Sequence, residues 1–140
     1  MKILVAADGS PYTKRMLAYL AAHDEWMGEH HAYTVFTVVP AVPPRAASAL
    51  DKDTLKTYYG DEADKVFKPI RAFFGKQKLN AEYLSKVGPA ADHIAAQADK
   101  GGYDLLVMGS HGHGTLGSLV MGSVVTKVMA QSKVPVLIVR

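Results

Sequence analysis

Short, uninterrupted apolar runs constrain this chain more than any other feature. Ile3 to Ala7, Leu105 to Met108 and Val136 to Val139 carry no polar residue, and Tyr33 to Val39 is almost wholly β-branched or aromatic. A strand with one face in water alternates apolar and polar residues, whereas one covered on both faces is apolar throughout. Helical patterns separate the runs. Ser10-Pro11 opens the first, with Ser10 able to accept at the N-cap and Pro11 losing only an unpartnered donor, and Met16, Leu17, Leu20 and Met27 mark its apolar side. Leu55, Tyr59, Val66, Ile70 and Phe73 recur at helical spacing in a second, long helix, which Pro69 should bend or divide. A third runs from Gly88-Pro89 to Gly101-Gly102 with Ile94 facing the core, and a last one starts near Ser123, with Val124, Val128 and Ala130.

Ala81 to Val87 mixes Glu82, Ser85 and Lys86 with apolar residues, as expected of an edge strand. Residues 40–50, with three prolines, read as a loosely packed connector. Strands alternating with helices imply right-handed crossovers, so the predicted fold is α/β: one domain over residues 1–140, an open parallel five-stranded sheet with helices on both faces. Ligands of such sheets bind beyond the carboxyl ends of strands where the strand order reverses. If strands one and four are neighbours, Asp8 and Gly109 border one crevice.

Gly109, Gly112 and Gly122-Ser123 form G-x2-G-x9-G-S directly after strand four. Glycines admit close approach to the main chain, and a helix N-terminus offers unpaired N–H groups and partial positive charge, so the segment reads as an anion cradle. No acid follows Asp104, and Lys127, Lys133 and Arg140 are taken to supply positive charge. Walker A is absent, because neither Gly114 nor Gly117 is followed by lysine. Gly112, Gly114 and Gly117 satisfy G-x-G-x-x-G, but the ribose-binding acid of a dinucleotide site is missing downstream.

The remaining pattern resembles the nucleotide-binding signature of the universal stress protein family, in its ATP-binding branch. MKILVAADGS is similar to that family's opening strand and acidic turn, VMGSHG to its fourth strand, GSV to its helix start and VPVLIV to its closing strand. The resemblance covers essentially the whole chain and implies a Rossmann-like, adenine nucleotide alpha hydrolase-like fold. It implies that Asp8 approaches the ribose and the metal-bound phosphates, with Mg or Mn accompanying the ATP, and that Val38 meets adenine. Gly109, Gly112, Gly122 and Ser123 would hold the phosphates, Val124 would donate from its backbone, and Ala7, Met108, Ser110 and His113 would complete the site. Family members usually carry bulkier, often basic residues where this chain has Gly114, Gly117 and Ser118, which lowers the expected affinity.

Other chemistry finds less support. His111 and His113 form an H-x-H pair without a nearby Cys, Asp or Glu to complete a ligand set, and His30-His31 read as a solvated turn. Ser110 or Ser123 with a histidine and Asp8 could make a triad only in residue type, since G-x-S-x-G is absent. A regulatory ATP-binding protein is therefore expected, with slow ATP hydrolysis or phosphoryl or adenylyl transfer as one alternative. A nucleotide-independent interaction protein is the other, and the apolar last strand predicts a homodimer through residues 134–140. The downstream protein partner is not legible.

A net charge of +3 with scattered basic residues argues against nucleic acid. The absence of cysteine excludes disulfides, and no apolar run nears the roughly 18 residues of a membrane span, so a soluble cytoplasmic protein is expected.

Overall fold

The computed structural model describes residues 1–113 and 120–140, apart from the side chain of Trp26. Five strands, β1 (Lys2–Ala6), β2 (Ala32–Val39), β3 (Ala81–Val87), β4 (Leu105–Gly109) and β5 (Val136–Val139), form one sheet in the order β3-β2-β1-β4-β5. All neighbours are parallel. β1 is central, with Ala6 opposite Phe36 on one side and Met108 on the other. β3 lies at an edge, as its mixed composition predicts, and β5 forms the other.

Strand side chains alternate between faces, so each central strand feeds two cores. Ile3 and Val5 join Val35 and Val107 under α1 (Pro11–Ala22) and α4 (Lys52–Lys76), where Met16, Leu20, Phe67, Ile70 and Phe74 are buried. Leu4, Ala6, Phe36 and Leu106 face α5 (Ala90–Lys100) and α6 (Ser123–Gln131), packing on Ile94, Ala98, Val125 and Val128. Apolar runs without alternation are thus the imprint of helices on both sides.

Several local expectations are corrected. The first helical pattern is two helices: α1 ends at Ala22, and Met27 is buried from a separate turn, α2 (Asp24–Met27). Ser10 occupies the N-cap of α1 but makes no side-chain cap, and its buried Oγ has no hydrogen-bond partner among the described residues. Pro69 does not divide α4, which runs unbroken for 25 residues. Proline is tolerated there on an exposed face, where the carbonyl one turn earlier can turn to water. The 40–50 connector contains a single turn of helix, α3 (Pro44–Ala47), and is pinned where the Val42 N–H donates to Tyr59 Oη at 2.8 Å. Ala130 is exposed, and Val125 takes its place as the residue that α6 buries with Val128. Among the described residues no helix is long and apolar enough to cross a membrane.

Candidate functional site

From β1 the chain crosses to β2 on one side, whereas β4 flanks β1 on the other. The connections beyond these strands diverge and leave a crevice of about 510 Å³ at their carboxyl ends. That volume lies within the roughly 300–1,000 Å³ of small-molecule sites. Ala7, Asp8, Val38, Met108, Gly109, Gly112, His113, Gly122, Ser123 and Val124 all border it, so residues far apart in sequence meet at one cavity.

Asp8 lies in a tight turn just beyond β1. Its Oδ1 accepts from the Ser10 N–H at 2.9 Å and from Thr13 Oγ1 at 3.1 Å, while Thr13 Oγ1 is also 3.2 Å from the N–H groups of Asp8 and Gly9. Gly9 takes φ +78°, a conformation glycine adopts without steric cost. Thr13, buried and lining the crevice, therefore holds the acidic turn. Asp8 Oδ2 faces the glycine loop: a Cβ on Gly112 would come within 2.6 Å of it. The loop is tied back by His113, whose Nε2 lies 2.7 Å from the Asp8 carbonyl oxygen, to which it donates.

Each signature glycine meets a steric demand of the protein itself. A Cβ on Gly109 would lie 2.8 Å from Tyr12 Cβ, where α1 crosses β4, and one on Gly122 would lie 3.2 Å from the His111 backbone. Ser110 is the exception among the predicted ligands. It is buried and does not border the crevice; its N–H donates to Val139 O, its carbonyl accepts from Gly122 N–H, and its Oγ hydrogen-bonds His111 Nδ1 at 2.9 Å. Ser110 stitches the two ends of the loop together and orients His111, whose ring also packs on Tyr12.

Ser123 is the first residue of α6, with Gly122 at the N-cap and no side chain capping the helix among the described residues. The first-turn N–H groups of Ser123, Val124 and Val125, three crevice-lining residues, are thereby left for a ligand as far as the described residues go. The expected basic side chains are elsewhere: neither Lys127, Lys133 and Arg140 nor any other Lys or Arg borders the crevice among the described residues. Lys127 sits a full turn into α6, on an exposed face. The crevice carries two histidines, His111 and His113, and two carboxylates, Asp8 and Glu62.

Glu62 and Val66 of α4, with Ala90 and Ile94 of α5, form walls that sequence reasoning missed. Their signal was long-range, because only the packing of α4 and α5 on opposite faces of the sheet brings them together. No group of three His, Cys, Asp or Glu among the described residues could hold a metal ion. A divalent ion would have Asp8 as its one predicted ligand, with the phosphates supplying the rest. Gly114, Gly117 and Ser118, on which the weakened-loop argument rests, lie outside the described residues.

The model of the universal stress protein family matches residues 1–140. This chain belongs to the universal stress protein family. A Thermus aquaticus universal stress protein is 34% identical to it over 142 residues, spanning 99% of this chain and 97% of that protein. The solved structure of MJ0577, a universal stress protein of Methanocaldococcus jannaschii, matches with a TM-score of 0.82 at 25% identity, covering 99% of this chain and 94% of the other. A universal stress protein family member from Arabidopsis thaliana, solved with AMP bound, matches with a TM-score of 0.71, covering 99% and 90%. At 15% identity, that last likeness is one of fold.

Proposed function

We propose that this universal stress protein, a single cytoplasmic domain over residues 1–140, binds ATP at the β1–β4 crevice and acts through its occupancy as a regulatory protein. The observation that carries the reading is the convergence of Asp8, Val38 and the uncapped start of α6 around one cavity at the point of strand-order reversal. The apolar end, with Val38 and Ile94, suits a planar base, and the α6 end suits phosphate. The bound AMP of the Arabidopsis relative is consistent with an adenine nucleotide.

Three backbone donors at about 1.5–3 kcal/mol each reach the roughly 8 kcal/mol of micromolar binding only at the upper end of that range. With no Lys or Arg among the described lining residues to help, Mg or Mn carried by the nucleotide would offset the charge of Asp8, so binding is expected to need the metal. Binding is favoured over turnover. Ser110, the hydroxyl beside His111, is buried away from the cavity, and Asp8 Oδ1 is committed to Ser10 and Thr13, so no triad forms among them.

Mass spectrometry of nucleotide released from freshly purified protein identifies the ligand, and calorimetry with ATP and magnesium measures its affinity. Absence of binding in both would overturn the reading. β5 supports pairing with a second copy through residues 134–140: it is an edge strand whose Val136, Leu137 and Ile138 are only partly covered.

A further inference from the structure

We propose that Glu62 is a specificity-determining residue of the crevice, accepting hydrogen bonds from the sugar hydroxyls of a ribonucleotide. The inference rests on the nucleotide reading above and extends it to a residue outside the glycine signature. Glu62 lies on α4, one turn before Val66, and both border the cavity. Val66 packs over the acidic turn, its Cγ2 3.5 Å from where a Cβ on Gly9 would sit. Glu62 thus stands on the α4 side of the crevice, across from α6, which packs on the opposite face of the sheet.

A carboxylate only accepts, and it meets phosphate only through a metal ion, so away from that ion it faces an uncharged donor of the ligand. Phosphate belongs at the α6 N-terminus, and the apolar wall at Val38 belongs to the base. The acidic turn that Val66 covers lies between them in the strand order β2-β1-β4, and there a ribonucleotide offers its sugar hydroxyls. Lys65 steadies the group, its Nζ 2.9 Å from Glu62 Oε1, and it is largely exposed, so it holds the carboxylate without bringing a cation into the cavity. Hydrogen bonds to a charged acceptor are stronger than neutral ones, and a site built for a hydroxyl discriminates strongly against an analogue that lacks it.

The test is calorimetry with ATP, 2′-deoxy-ATP and 3′-deoxy-ATP, each with magnesium, on the wild-type protein, Glu62→Ala, Glu62→Gln and Lys65→Ala. The wild type should lose about tenfold or more in affinity on removal of at least one hydroxyl. Glu62→Ala should bind ATP about tenfold more weakly and discriminate less between ATP and its deoxy analogues, Asp8 remaining beside the sugar, Glu62→Gln should fall between, and Lys65→Ala should keep the discrimination. Full hydroxyl discrimination in Glu62→Ala, or ATP binding as tight as wild type in that variant, overturns the role of Glu62 while the nucleotide site stands. No ATP binding by the wild type overturns both.

Discussion

Replacing Gly112 by alanine puts a methyl group 2.6 Å from Asp8 Oδ2, and real Cβ contacts essentially never fall below 3.0 Å. The carboxylate must therefore retreat by about 0.4 Å or more. It cannot do so without consequence, because Oδ1 accepts from Ser10 N–H at 2.9 Å and from Thr13 Oγ1 at 3.1 Å. A rigid shift of that size takes the Ser10 bond to about 3.3 Å, beyond the ordinary N–H···O range. Loss of one such charge-assisted bond costs about 1.5–3 kcal/mol, or roughly 5–12 °C in melting temperature for a chain of this length. The decisive measurement is a double-mutant cycle by chemical denaturation. Asp8→Ala removes the oxygen that alanine at 112 would strike, so the Gly112→Ala penalty should largely vanish in that background. Gly109→Ala is the control: its Cβ would meet Tyr12 at the start of α1, 2.8 Å away, and Asp8→Ala should not rescue it. An equal Gly112→Ala penalty in both backgrounds would refute the steric argument.

Burial pushes the Tyr33 hydroxyl up to about 12, and it donates to the Met27 and Gly28 carbonyls. The folded state therefore holds this proton more tightly than the unfolded chain, and the stability it contributes is complete below pH 10 and lost as pH rises from 10 towards 12. Tyr33→Phe should flatten that alkaline decline in urea midpoints measured from pH 8 to 12. Thr54 N–H donates to the exposed Asp51 at the N-cap of α4 and lowers its pKa. Asp51→Ala should lower the melting temperature at pH 7 and leave it nearly unchanged once pH falls below the usual carboxylate range. Phe74→Ala, at a side chain 1% exposed, should cost about 3–5 kcal/mol in denaturant unfolding. Ile138→Glu should shift a β5-paired dimer to monomer in sedimentation at micromolar concentration; a wild type already monomeric there would remove that interface.

The strands were legible because burial on two faces leaves a one-dimensional trace: nothing polar survives in Ile3 to Ala6 or Leu105 to Met108. The edge position of β3 was legible for the opposite reason, since Glu82, Ser85 and Lys86 need water. Periodicity cannot register a break that preserves phase, so the apolar pattern runs from α1 into α2 even though the chain turns at His23. The crevice floor followed from the reversal of strand order, which joins Asp8 to Gly109. Its walls did not, because Glu62 and Thr13 are placed by helix packing. Charge was the least transferable inference: Lys127 is close to Ser123 in sequence, yet a helical turn carries it away from the cavity.

The length of α4 has a mechanical consequence. Its inner half is anchored in the core by Phe67, Ile70 and Phe74, whereas from Lys52 to Asp61 it buries no residue and includes Gly60, which weakens a helix by about 1 kcal/mol relative to alanine. Pro69 removes the hydrogen bond that would reach back to the Lys65 carbonyl, within the anchored part. The helix is therefore firmly held from Ala63 inward and lightly held from Lys52 to Asp61. Glu62 and Val66 sit at the joint, and Tyr59 carries the tether to Val42 just beyond it. A load applied to the crevice wall at Glu62 falls where the anchored part of α4 ends, and Tyr59 passes it to the 40–50 connector.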